Sequence, residues 1–458
     1  MRTNILILIA VLAILGALNC SSLDPIQPSA VGTGSLNFAR YHAVGNSLTA
    51  GTQNNGLVEA FQKVSYPALI NQAVRGPSFS MPTISEAGIP PLLYVSNFSP
   101  LMIDTLPSGG MPTNTTFPGI YNNMGIPGAE LNELLNRGPT PPTPADPNPF
   151  WQIILRDAGT FGPNAIAQVV AAAPTVATAW VGANDIFGSA SVGTDLLLTP
   201  VASFEADYIA MMDLLVGGAG AVIAGNIVDI PAIPFFSTFP PVLFDPTKGE
   251  PVLDPGGNLI PLIGEFADAS FGPMPLTSLV TLAAAPLLAI GTGIPVPAGG
   301  TGVPMPSYAW LEPGELTNIR DRLDAFNTII DTVCTARGVP VVDFFGAFNR
   351  IASSGFLFRG EIWTSDYLTG GIFSMDGFHP SSIGQFIVAL EFIRVMNASF
   401  GAAIPAPLFP KGPHRPINPA DITPPAMTAA YSMSTGHFRG LWLSLGVDAA
   451  EVSRILNE

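Results

Sequence analysis

The feature that most limits the fold of this chain is a regular alternation of short apolar runs with longer amphipathic segments, beginning near Leu36. The apolar runs have the length and composition of buried strands and lie at 41–44, 175–181, 221–230 and 339–344. Helices are predicted between and beyond them, at 57–74, 129–135, 150–158, 165–173, 204–216, 317–336 and 383–396. Alternating strands and helices are typical of parallel βα units. We therefore predict an α/β fold built on a parallel sheet.

Two long segments interrupt this alternation. Residues 76–120 are rich in Pro, Gly, Ser and Thr and indicate a long excursion from the sheet. Residues 236–312 form an apolar insertion, and its run 276–294 is long and apolar enough to pass for a membrane span. Pro286 and two glycines break that run, so we expect a cap or lid over a pocket instead. A C-terminal extension, 406–458, is Pro-rich and then helical in pattern, and its role is not indicated.

Composition excludes several classes of protein. Acidic residues outnumber basic ones 33 to 17 and the net charge is −16, with no basic cluster, so no nucleic-acid partner is expected. With 48% hydrophobic and only 11% charged residues, the chain is not disordered. The 47 Gly and 47 Pro residues predict many loops. A chain of 458 residues could hold several domains or one large α/β domain with insertions.

The N-terminus has the pattern of an export signal. One Arg precedes an apolar run from Ile5 to Leu18, which is short for a membrane span and suits a signal peptide over 1–20. The run ends in Ala-Leu-Asn-Cys, which resembles a bacterial lipobox with Cys20 as the lipidated residue, although Asn19 departs from the usual small residue. Residues 21–35 would then be a tether. An ordinary cleaved signal with an incidental cysteine is the alternative, and Cys334 alone cannot form an internal disulfide.

Two short motifs supply a nucleophile and a base. Ser47 follows the first predicted strand in the sequence Val-Gly-Asn-Ser-Leu, where a turn can lift a hydroxyl off the strand end. A serine nucleophile needs a general base, and histidine is the usual one near neutral pH. Among four histidines, His379 stands out because Asp376 precedes it by three residues, close enough to orient the imidazole.

Two further motifs offer donors for an oxyanion. Acyl transfer needs preorganised N–H groups aimed at the developing negative charge. Gly128 lies at a predicted helix start, where backbone N–H groups are unpaired. Asn184 places an amide at the carboxyl end of the strand 175–181, the edge where open α/β sheets bind ligands.

Together and in this order, the four blocks resemble the SGNH hydrolase family, also called GDSL esterases and lipases. The resemblance implies Ser47 as nucleophile, His379 as general base and acid, and Asp376 as the residue that orients His379. It also implies an oxyanion hole of the Ser47 N–H, the Gly128 N–H and the Asn184 amide. Asn46 stands where the family usually has Asp. The implied fold is a flavodoxin-like three-layer α/β/α sandwich with about five parallel strands, here over 36–405.

The resulting expectation is an exported, lipid-anchored serine esterase of the bacterial cell envelope, at the outer membrane or cell surface, acting on acyl-lipid-like esters. It needs no cofactor and no metal, and its membrane contact is the lipid on Cys20. Three alternatives stay open: a carbohydrate acetyl esterase, an acyltransferase with the same residues, and a non-catalytic surface lipoprotein.

Overall fold

The computed structural model describes residues 31–98, 101–245, 248, 250–411 and 436–456. The predicted signal peptide, Cys20 and the tether up to residue 30 lie outside the described residues. Near the start of the described residues, the Ser35 N–H donates to the Phe400 carbonyl at 3.0 Å.

A five-stranded parallel sheet forms the centre of the fold. Its strands are β1 Tyr41–Gly45, β2 Asn123–Gly125, β3 Val176–Trp180, β4 Val222–Gly225 and β5 Val341–Val342. They lie in the order β2-β1-β3-β4-β5, the order of flavodoxin-like folds. Every pair of neighbours is parallel. The predicted fold is confirmed.

Helices cover both faces of this sheet. The main ones are α1 Ser47–Ala50, α2 Tyr66–Ala73, α3 Ala165–Ala171, α4 Asn184–Ser191, α5 Val201–Gly218, α6 Pro313–Ala336, α7 Phe344–Ser354 and α8 Ser382–Phe400. In one layer α5 packs on α3 and α6, and the Phe204 and Phe326 rings stack at 3.8 Å. In the other layer α2 packs on α8, and the Tyr66 and Phe392 rings stack at 4.8 Å. The result is three layers with the sheet between them.

Smaller elements fill the connections. Short helices occupy Glu59–Gln62, Leu131–Asn136, Phe150–Ile154, Ala158–Phe161, Pro234–Ser237 and Ala285–Ala289. Two-stranded antiparallel pairs join Leu93–Phe98 with Leu101–Thr105, Phe244–Asp245 with Glu250–Pro251, Ile263–Glu265 with Phe271–Pro273, Leu279–Val280 with Trp310–Leu311, and Phe356–Phe358 with Glu361–Trp363. Two further helices, α9 Gly436–Ser444 and α10 Ala449–Leu456, form what we call the C-terminal hairpin.

Several boundaries differ from the sequence prediction. β2 was not predicted, because Asn-Met-Gly is too short and too polar to read as a strand. The predicted strand 339–344 is only Val341–Val342, since Asp343 caps the new helix α7 by accepting from the Gly346 N–H at 2.8 Å. The predicted helix 57–74 is broken between Gln62 and Tyr66.

The run 276–294 is not one helix. It contains a two-residue strand, a 3-10 turn and the helix Ala285–Ala289. Among the described helices, only α8 is long and apolar enough to cross a membrane, and 61% of its apolar window is buried inside the protein. That burial fits a core helix.

Candidate active site

Ser47 opens helix α1 directly after β1, at the carboxyl edge of the sheet. Asn46 caps this helix, with its Oδ1 accepting from the Leu48 N–H at 3.1 Å. The Asn46 side chain therefore caps the helix through its amide oxygen, at the position where the family usually has Asp. Ser47 is only 1% exposed, and its Oγ has no hydrogen-bond partner within the described residues.

Asp376 and His379 form a buried hydrogen-bonded pair. His379 Nδ1 lies 3.0 Å from Asp376 Oδ2, and both side chains are almost fully buried. The other carboxylate oxygen accepts from the N–H groups of Phe378 at 2.9 Å and His379 at 2.8 Å. Asp376 Oδ2 also accepts from the Asn55 N–H at 2.8 Å. Burial alone would raise the pKa of Asp376, but the His379 charge and these hydrogen bonds hold it below its ordinary value.

Side-chain contacts hold the Ser47 and His379 segments together. Gln385, on α8 six positions after His379, donates to the Leu48 carbonyl at 3.0 Å. Its Oε1 accepts from the Tyr66 N–H at 2.8 Å. Ser47 Oγ and His379 Nε2 make no hydrogen bond to each other, and both are buried without a partner among the described residues. Each atom therefore has a hydrogen-bonding capacity that no described residue uses.

An apolar cavity of about 20 Å³ lies between these two segments. It is lined by Leu48, which follows Ser47, and by Phe378 and Pro380 on either side of His379. The remaining lining residues are also apolar: Trp180, Phe187, Val228, Ile233, Phe348 and Phe373. The segment that leads into the insertion reaches this region, because the Phe235 N–H donates to the Gly377 carbonyl at 2.8 Å.

Gly128 and Asn184 lie close together. Asn184 is the first residue of α4, and its Nδ2 donates to the carbonyl of Ala129, the neighbour of Gly128, at 2.9 Å. An amide nitrogen carries two N–H bonds, so one stays free for an oxyanion. Gly128 takes φ +83°, a backbone conformation that favours glycine. The backbone N–H groups of Ser47 and Gly128 donate to no described residue.

Three acidic residues lie next to Gly128 and Asn184: Asp185, which is buried, and Glu130 and Glu133, which are half-buried. Asp185 Oδ2 accepts from the Leu131 N–H at 3.1 Å, and Oδ1 accepts from Thr199 Oγ1 at 3.0 Å. Burial raises the pKa of Asp185 to about 6. Burial also raises the pKa of Glu130 to about 8, with the charges of Asp185 and Glu133 adding to the effect. No group of three or more His, Cys, Asp or Glu residues in the described chain is arranged to hold a metal ion.

The C-terminal hairpin packs directly on the same region, which the sequence did not reveal. A Cβ atom on Gly446 would lie 2.8 Å from the Gly128 carbonyl oxygen and 3.8 Å from Asn184 Cβ. Trp442 is fully buried, and its Nε1 donates to the Ser191 carbonyl at the end of α4 at 3.1 Å. Asn55, whose backbone N–H donates to Asp376, also donates through its Nδ2 to the His437 carbonyl at 3.4 Å. The hairpin therefore contacts both sides of the site.

Comparison with known proteins defines the class. The profile of the GDSL-like lipase/acylhydrolase family matches residues 41–392, so the chain belongs to this family and is a serine ester hydrolase. Among solved structures, it is similar to an acetylxylan esterase from Geobacillus stearothermophilus, with 12% identity, TM-score 0.34, and coverage of 80% of this chain and 96% of the other. It is also similar to an alpha/beta hydrolase enzyme, LAE5, from the metagenome of Lake Arreo, Spain, with 12% identity, TM-score 0.34, and coverage of 79% and 99%. No curated protein matched the sequence.

Proposed function

We propose that Ser47, His379 and Asp376 form the catalytic triad, with the oxyanion bound by the Ser47 N–H, the Gly128 N–H and Asn184 Nδ2. The observation that carries the proposal is the buried 3.0 Å contact between His379 Nδ1 and Asp376 Oδ2. The carboxylate then fixes the tautomer in which Nε2 is unprotonated and can act as a base. Nε2 and Ser47 Oγ are both buried without a partner among the described residues, as a base and a nucleophile awaiting substrate should be.

The reaction proceeds in two acyl transfers. Ser47 Oγ forms a bond to the ester carbonyl carbon while its proton passes to His379 Nε2. The C–O bond to the alcohol then breaks, and the alcohol leaves with that proton. Water next attacks the acyl carbon and gives a proton to Nε2. The acyl–Oγ bond breaks, the acid departs, and the proton returns to Ser47 Oγ.

A fluorophosphonate probe tests this assignment, because only an activated serine is labelled covalently. We expect the native protein to be labelled, and Ser47→Ala and His379→Ala to lose both labelling and hydrolysis of p-nitrophenyl acetate while keeping the fold. Ser382→Ala is a matched control, since this serine bonds to Gln53 at 3.2 Å and opens α8. Unchanged labelling of Ser47→Ala would contradict the triad, and an unlabelled native protein would favour a non-catalytic binding role.

The substrate that we propose is an acyl ester of lipid-like character. Two observations support it: the apolar lining of the cavity beside Ser47, and a second apolar cavity of about 200 Å³ within the insertion. The second cavity is lined by Phe239, Leu262 and Leu288 among others. Ile233 lines the first cavity and Phe239 the second, so one short segment runs between them.

A second candidate is an acetyl ester of a carbohydrate. The first cavity holds only about 20 Å³, little more than the space for one water-sized group, which favours a very short acyl chain. Rates on p-nitrophenyl acetate and p-nitrophenyl laurate discriminate the two candidates. A preference for laurate supports the lipid ester, and a preference for acetate supports the carbohydrate ester. Product analysis with an added alcohol or sugar acceptor separates hydrolysis from acyl transfer.

We also propose that the protein is exported and anchored through a lipid on Cys20. The support is the N-terminal apolar run that ends in a lipobox-like cysteine. Metabolic labelling with palmitate tests this. The native chain should incorporate label and fractionate with membranes, while Cys20→Ser should not. Equal incorporation by both chains would contradict lipidation at Cys20.

A further inference from the structure

The turn after the nucleophile helix holds two successive non-glycine residues in the left-handed backbone region. Gln53 and Gly56 exchange two backbone hydrogen bonds, each of 3.1 Å, which closes a two-residue turn over Asn54 and Asn55. Both central residues take positive φ, +51° and +71°. Such a turn is favoured by Asn and Gly, because other side chains clash in the left-handed region.

In this turn type the two central N–H groups are not used by the turn itself, and here both point at the segment that carries Asp376. The Asn54 N–H donates to Ser374 Oγ at 2.9 Å. The Asn55 N–H donates to Asp376 Oδ2 at 2.8 Å, the same oxygen that lies 3.0 Å from His379 Nδ1.

A third hydrogen bond fixes the alignment of the turn with the segment that carries Asp376. Asn54 Oδ1 accepts from the Met375 N–H at 2.9 Å. Three successive residues, Ser374, Met375 and Asp376, are thus held by two successive residues more than 300 positions earlier. Ser374 and Asp376 are each only 2% exposed, so water does not compete strongly for these bonds.

We propose that the Asn54–Asn55 turn orients the Asp376 carboxylate towards His379, and that Asn54 is a positioning residue for the reaction. The inference rests on the proposed triad. Asn54 acts through Asp376 and does not contact the reacting atoms. The three hydrogen bonds to Ser374, Met375 and Asp376 are the observations that carry this role.

Two substitutions of Asn54 distinguish the contribution of its backbone conformation from that of its side-chain oxygen. Asn54→Gly keeps the left-handed turn and deletes the acceptor for Met375, while Asn54→Asp keeps both. We expect Asn54→Gly to lower kcat about ten- to a hundredfold, as small misplacements of catalytic groups do, with KM unchanged. The acid limb of its kcat/KM profile should move to lower pH, because a displaced carboxylate stabilises the imidazolium less. Asn54→Asp should restore kcat to within about threefold.

Asn397 provides a matched control. Its Oδ1 accepts from the Ile404 N–H at 2.8 Å, the same kind of bond at a similar partial burial, but at the end of α8. Asn397→Ala should lower the melting temperature without changing kcat or the pH profile. A merely structural role for Asn54 would give the same result for Asn54→Gly.

A second readout covers the case in which Asn54→Gly does not fold. Ser374→Ala removes the acceptor of the Asn54 N–H and should shift the acid limb in the same direction. The low-field proton resonance of the Asp376–His379 hydrogen bond should also weaken in either variant. Native kcat, acid limb and resonance in a folded Asn54→Gly or Ser374→Ala protein would overturn the inference. Failure of the native protein to react with fluorophosphonate would instead overturn the proposed triad.

Discussion

Exchange of Asp376 for Asn tests the site most directly, because every lone pair of this carboxylate is used. Oδ1 accepts from the N–H groups of Phe378 and His379, and Oδ2 from Asn55 and from His379 Nδ1. In Asp376→Asn the amide oxygen can keep the first two bonds. The NH₂ group then faces the Asn55 N–H, donor against donor, and can satisfy His379 only if the imidazole adopts the other tautomer.

Two magnitudes follow from this geometry. The wrong tautomer puts a proton on Nε2 and removes the base, which lowers kcat about 10⁴-fold in the serine protease triad. The lost bond from Asn55 to a charged acceptor should cost about 2 kcal/mol in the free energy of unfolding. Burial would raise the pKa of Asp376, yet His379 and the hydrogen bonds lower it. The native contribution is thus present above the ordinary carboxyl pKa and lost as pH falls through the lowered one.

The assay is kcat/KM on p-nitrophenyl acetate across pH, together with thermal unfolding of both proteins near neutrality. Asp254→Asn is the control, because Asp254 accepts hydrogen bonds only from nearby residues of its own exposed turn. A folded Asp376→Asn protein that keeps more than about a tenth of the native kcat/KM would refute the tautomer reasoning.

Three further predictions concern stability. Gly446→Ala should lower the free energy of unfolding and kcat, because the new Cβ would lie 2.8 Å from the Gly128 carbonyl oxygen and because φ of Gly446 is +84°. Gly257→Ala, at φ +81° with nothing within 4 Å, measures the strain alone, and equal effects would contradict the contact. Glu130→Gln should be more stable than the native protein near pH 8 and equal to it near pH 4. The raised pKa of about 8 stabilises the native fold below 4.5 and loses that contribution as pH rises through 8. Burial lowers the pKa of His42 to about 4, so its contribution is present above 6.5 and falls by about 3 kcal/mol as pH drops through 4. His42→Gln should lose less stability than the native protein over that interval in urea titrations, and parallel curves would refute the assignment.

The sheet was predictable where the sequence pattern is local. β1 and β3 are mostly apolar runs, and all their residues are buried in the structure. β2 could not be predicted, because its three residues become a strand only by pairing with β1, Ala43 opposite Asn123. Local propensity carries no information about such a partner.

In the candidate site, too, local contacts were predictable from the sequence and long-range contacts were not. The Asp376 and His379 contact spans three residues, so spacing alone suggests it. The contacts of Asn55 with Asp376 and of Gln385 with Leu48 join segments that lie 321 and 337 positions apart. No periodicity marks these residues. The one local signal was the Gln-Asn-Asn-Gly sequence, which is typical of a tight turn. The helical pattern within 406–458 was visible in the sequence. The contact of the C-terminal hairpin with the surface around Gly128 was not, because that surface is not a neighbour in sequence.

This long separation has a consequence for biosynthesis. A ribosome releases the Ser47 strand early, but the carboxylate and imidazole emerge hundreds of residues later, at about 5–20 residues per second. In the proposed triad, the nascent chain thus carries the Ser47 nucleophile for many seconds without the His379 base that would activate it. With the proposed triad, a product truncated before His379 would lack the general base, so full esterase activity would appear only when synthesis of the sheet and of α8 is nearly finished.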